Sequence, residues 1–221
     1  MSMPSERASL SSATADPGAI GLSLFGFALF LYGVQFVVYA NAAPGAATSS
    51  VATTYAILVA AVGETLAGLL YILRGQGYQA SILCGFGLWL LGLYLLLTLG
   101  AENKAFSPDA VGWYSVALIV PVAFMSIPSF LHRNLPLIAA FVALIGLLLF
   151  LGTGFLSANL TAKPPVPPSV SELRISGIFA FIAAAALWYR ATAIVLAIGK
   201  SPEDHATTPA PAGISPPVTT S

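Results

Sequence analysis

The sequence predicts an all-α integral membrane protein, a polytopic bundle of six transmembrane helices. Charge scarcity is the first reason: of 221 residues 57% are hydrophobic and 7% are charged, against about a quarter charged in ordinary soluble domains. Eight Lys and Arg balanced by eight Asp and Glu cannot cover a water-facing surface of this size. The second reason is segmentation. Six apolar stretches, 20–40, 51–73, 79–99, 111–131, 135–156 and 173–198, each reach the ~20 residues that cross ~30 Å of hydrocarbon.

The remaining segments take their character from composition. Residues 1–15 and 200–221 are rich in Ser, Thr, Pro and Ala, a mixture that buries too little apolar surface to fold alone; both tails are expected to be disordered, flanking one membrane domain over 16–199. Gly, Pro, Asn and Ser concentrate in the breaks between spans, as chain reversals require. Short breaks make consecutive helices antiparallel neighbours. Ala40-Asn41-Ala42 has the small-x-small form of a signal cleavage site. The preceding apolar run is longer than an h-region of ~7–15 residues, so the first span is expected to be retained. Arg7, Arg74, Arg133 and Lys200 fall on one side of a six-span chain, and Lys104, Lys163 and Arg174 on the other. The bias places both termini in the cytoplasm.

Within the spans, Gly63, Ala67, Gly68, Gly85, Gly87 and Gly92 let helix backbones approach closely, as membrane packing favours; an internal path opened by some of these glycines is the other reading. Pro17 and Pro136 are boundary prolines, tolerated where no N–H is needed. Pro121 and Pro128 lie inside the fourth span and are expected to bend it, freeing carbonyls for other partners.

Two ionisable residues, Glu64 and Arg190, fall well inside spans. A charge at that depth costs at least ~2.5–3.5 kcal/mol on insertion scales, so both should face the bundle interior. Three readings stand side by side: an internal Glu64–Arg190 ion pair, an aqueous path where one of them meets solute or proton, and Arg190 snorkelling to the interface.

Several functions are excluded or left without support. Zero net charge removes the footprint that nucleic-acid binding needs. Cys84 is alone, so no disulfide framework forms within the chain, and it reads as a packing residue. His132 and His205 have no further ligands at metal spacing, and no phosphate loop with its Lys is present. No enzyme, metal or cofactor is expected. Movement of a small solute, or a structural membrane role, remains.

Asp16-Pro17-Gly18-Ala19-Ile20-Gly21-Leu22 opens the first span, with Phe25-Gly26-Phe27 behind it. This resembles the N-P-A-P-L-G-L signature of the acetate uptake transporter family, which includes succinate-acetate permeases. Ala67-Gly68, Arg74-Gly75, Phe86-Gly87 with Trp89, Leu131 to Asn134, and Ala186-Leu187-Trp188-Tyr189 are similar to further family patterns, in order, over about residues 16–198. The resemblance implies a homo-hexameric ring in the plasma (inner) membrane. Each protomer would carry its own pore for small monocarboxylates such as acetate, with succinate a further candidate and a proton as partner. It places the pore constriction on Phe25, Phe86 and Leu144; a greasy constriction excludes hydrated ions. The sequence departs from the family at Asp16, which replaces the signature Asn; at Phe86, which replaces a Tyr; at Glu64, where a neutral polar residue is usual; and at Arg190, where an apolar one is. Two alternatives remain: a urea or short-chain amide channel, whose G-W-F/Y-S stretch Gly112-Trp113-Tyr114-Ser115 resembles, and a non-transporting membrane protein.

Overall fold

The computed structural model describes residues 16–38, 46–103, 107–159, 161–164 and 166–198. The tails 1–15 and 200–221, with Arg7 and Lys200, and Lys104 lie outside the described residues. Six helices run through the rest: α1 Gly18–Val37, α2 Ala46–Leu73, α3 Gly77–Glu102, α4 Pro108–Leu131, α5 Leu135–Leu156 and α6 Val170–Ile198. All six are long and apolar enough to cross a membrane. Among the described residues there is no strand, only an isolated bridge between Asn159 and Val166 in the α5–α6 connection.

Local chemistry sets the helix ends. At the start of α1 the Asp16 carboxylate accepts the Gly18 N–H at 2.9 Å, placing an anion against the positive end of the helix. Ser107 caps α4 by accepting the Ala110 N–H at 3.1 Å, with Pro108 as the first helical residue. The α2–α3 turn closes with Gln76 N–H donating to Tyr71 O at 3.0 Å and Gly75 N–H to Ile72 O at 2.9 Å. That is a Schellman reversal, and Gly75 takes its left-handed position at φ 71°. The α4–α5 turn repeats it with Arg133 at φ 50°, where Asn134 N–H reaches Ser129 O at 3.0 Å.

Five of the six helices start earlier than the hydropathy pattern suggests, α1 by two residues and α4, behind its Ser107 cap, by three. α2 begins at Ala46 and α6 at Val170, because no Pro or Gly stands in the residues directly ahead of either apolar run to stop the helix. α3 begins at Gly77, directly behind the reversal at Gly75.

The helices form a closed ring in the order α1–α2–α3–α4–α5–α6, with broad packing of α1 on α2 and α6, α2 on α3, and α5 on α4 and α6. Glycines make these approaches possible. A Cβ on Gly87 of α3 would lie 2.7 Å from the Thr65 nitrogen and 2.9 Å from the Ala61 oxygen of α2. Side chains stitch the same interfaces across helices: Thr53 Oγ1–H to Leu31 O at 3.2 Å, Ser176 Oγ–H to Leu147 O at 3.1 Å, and Trp188 Nε1–H to Ser23 O at 3.0 Å. Each is worth about 0.6 to 2 kcal/mol inside a membrane.

The α3–α4 seam is different. Their backbones barely touch, and long side chains bridge the gap: Tyr78 Oη donates to Met125 O at 2.9 Å, Tyr114 Oη to Trp89 O at 2.8 Å, and the Trp89 and Tyr114 rings stack at 5.9 Å. Outward faces of the ring are apolar, with Leu66, Trp113, Phe124 and Leu135 each more than half exposed. Such a surface fits lipid tails or neighbouring helices and not water.

Candidate functional site

Four cavities lie in file along the inside of this ring. The first, about 320 Å³, occupies the end of the bundle where α1, α3 and α5 begin and α2, α4 and α6 end. Its polar lining includes Asp16, Tyr71, Gln76, Tyr78, His132 and Arg190. The fourth, about 220 Å³, occupies the opposite end and is lined by Gln35, Ser50, Thr53, Thr54 and apolar neighbours. Between them lie two cavities of about 20 Å³ each, room for about one water molecule.

Helix periodicity puts the cavities in line. On α1 the lining residues run Leu22, Phe25, Leu29, Tyr32 and Phe36; on α3 Ile82, Phe86, Leu90, Leu93 and Leu97; on α5 Leu137, Leu144, Leu147, Leu151 and Phe155. Most steps are of three or four residues, so each series follows one helix face. Leu22, Ile82 and Leu137 wall both the first and second cavities, and Tyr32 both the third and fourth.

Phe25, Phe86 and Leu144 come together around the second cavity, all buried. The Phe25 and Phe86 rings meet with centroids 5.2 Å apart, and Phe86 lies 6.3 Å from Phe141. Glu64 reaches the same cavity from α2. Its residue is 0% exposed, neither carboxyl oxygen has a hydrogen-bond partner, and every other lining residue is apolar. Arg190 instead lines the first, larger cavity. Among the described residues no ion pair joins it to Glu64, so the two ionisable residues line neighbouring cavities and are not partners.

The signature residues have separate tasks. Asp16 accepts both the Gly18 N–H and the Tyr71 hydroxyl, tying the start of α1 to the end of α2. Pro17 sits at the N-cap of α1. Gly21 packs against Ala67, and Leu22 lies on the wall shared by the first two cavities. In the Gly112 to Ser115 stretch, Gly112 faces Gly152 of α5, Trp113 points outward, Tyr114 bridges to α3, and Ser115 bonds back to Val111 O. None of these four residues lines the file. Cys84 packs against Gly68.

Trp89, which the sequence marks only as part of a motif, stands beside the file. Its Nε1–H is buried without a partner, and the side chain walls the third cavity. Tyr78, which no motif marks, bridges α3 to α4 and lines the first cavity.

A closed ring of six membrane-length helices around narrow internal cavities defines an integral membrane protein of the polytopic α-helical class. The chain matches the model of the GPR1/FUN34/yaaH family over residues 2–211 and belongs to that family. The solved structure of the bacterial acetate channel SatP has the same fold, with a TM-score of 0.67 and 20% identity over 90% of this chain and 99% of that one. Comparison with curated proteins finds no match.

Proposed function

We propose that the chain carries small monocarboxylates such as acetate across a membrane, one path within each protomer. The observation that carries this reading is the file of cavities pinched to about 20 Å³ beside Phe25, Phe86 and Leu144. The family supports the choice of solute, as does the fold shared with a protein described as an acetate channel.

The physical sense is selective dehydration. Polar groups of the first cavity replace water around the solute carboxyl, with Arg190 supplying positive charge. The throat then presents rings and aliphatic carbons, against which a methyl group slides at little cost. A hydrated inorganic ion finds there no oxygens to replace its shell. In this reading protomers assemble as a ring of six in the plasma (inner) membrane, both termini are cytoplasmic, and a proton travels with the solute. Glu64 and Arg190 line the route.

Thiol blocking tests the path. Leu137 walls both the first cavity and the throat, so Leu137→Cys in a Cys84→Ala background should transport acetate until a small methanethiosulfonate reagent modifies it. Acetate present during modification should slow the loss. Full labelling of the new thiol with undiminished acetate flux would contradict the path.

A further inference from the structure

Among the described residues, four buried side-chain polar atoms lack any hydrogen-bond partner: Oε1 and Oε2 of Glu64, Nε1 of Trp89, and one oxygen of Glu172. Three of the four belong to side chains walling the narrow middle of the file. Buried polar groups are almost always satisfied, and leaving one bare costs the full desolvation of that group. Orphans gathered at a constriction are groups whose bonds an entering molecule can complete.

We infer that Glu64 is the residue that recognises the solute's carboxyl group, through a carboxyl–carboxyl pair sharing at least one proton. This rests on the monocarboxylate reading above. Geometry leaves little else for Glu64 to meet. Its cavity holds about one small group, the other walls are carbon, and no other titratable or charged side chain lines it. Asp16, Tyr71, Tyr78, His132 and Arg190 belong to the neighbouring wider cavity.

Two bare carboxylates in contact repel strongly where water is excluded, so a solute carboxylate meets Glu64 only with a proton between them. The balance is simple. One carboxylate and one proton enter, the proton is held between the two carboxyl groups, both leave, and Glu64 ends in its starting protonation state. No bond to carbon forms or breaks. Trp89 follows Phe86 by three residues, about 4.5 Å along α3, and its free N–H is the next donor a solute oxygen reaches. Passage is then electrically silent, and the throat takes the carboxyl group with its proton, not the free anion.

The test uses purified protein in proteoliposomes at near-neutral pH, with acetate uptake corrected for protein-free vesicles and a potassium diffusion potential imposed. Wild-type uptake should not respond to the sign of the potential. Glu64→Gln keeps the shape but cannot share a proton; its acetate uptake should fall by at least about tenfold, the worth of a hydrogen bond to a charged group. Its thermal unfolding midpoint in detergent should stay near wild type, and Glu64→Asp should recover most acetate uptake. Acetate uptake in Glu64→Gln equal to wild type would overturn the inference, as would wild-type uptake that follows the potential. Loss of acetate uptake together with a clearly lowered unfolding midpoint in both variants would make Glu64 a packing residue and overturn it too. Wild-type protein that moves no acetate removes the monocarboxylate reading itself, and this inference with it.

Discussion

Phe86 shows how much one side chain decides. Its ring lies 5.2 Å from that of Phe25 and 6.3 Å from that of Phe141, and in the proposed path these rings close the throat with hydrocarbon. In a site this tight, one methylene is worth about 1–3 kcal/mol, so wild type should pass acetate faster than propionate by about tenfold or more. Phe86→Ala opens the space between the three walls. Relative uptake of propionate and butyrate in proteoliposomes should then rise towards that of acetate; an unchanged ratio would take Phe86 out of the constriction. Single residues were both the most and the least legible part of the sequence. Scarcity of charge made Glu64 and Arg190 visible, because an ionisable group inside a span costs too much to be incidental. Whether they pair depends on the register between α2 and α6, which spacing along one chain does not encode. Trp89 stayed hidden for a different reason: an indole in a membrane helix reads as packing, and only the missing partner of its N–H marks it.

Elements are held at their spacing by small residues on one side of the ring and by long ones on the other. At the α2–α3 interface, Gly87 leaves no room for a Cβ because the nearest atoms include backbone atoms of Thr65 and Ala61, which cannot swing aside. Gly87→Ala should therefore lower stability by about 1–3 kcal/mol, the usual cost of overpacking. Gly77→Ala, a site with nothing within 4 Å of the added carbon, should stay within about 0.5 kcal/mol of wild type. Thermal unfolding in detergent, followed by circular dichroism, compares the two; equal midpoints would contradict the close-packed interface. Six helices were legible because an apolar run of membrane length with almost no charge is hard to place anywhere but in a bilayer. Their starts were less so: Ala46 to Ser50 carries no strong breaker, so α2 continues outward through it. The thin α3–α4 seam, spanned by Tyr78 and Tyr114, left no sequence signal, since tyrosines are common at any helix surface.

At the scale of the molecule, alternating helix direction brings polar residues from helix ends to each mouth and apolar residues from their middles to the throat. Asp16, Gln76 and His132 are far apart in sequence yet share one cavity, and Gln35 and Thr53 share the opposite one. The outer faces are mainly apolar, which leaves the interior, polar at both ends and narrow and apolar between them, as the proposed route. That division is the central claim, and flux of two solutes through reconstituted protein tests it most directly. Labelled acetate and labelled urea, offered to the same proteoliposomes at equal concentration, should separate clearly: acetate uptake well above protein-free vesicles, and urea uptake at their level. Urea flux equal to or above that of acetate, or no protein-dependent flux of either, would contradict the account.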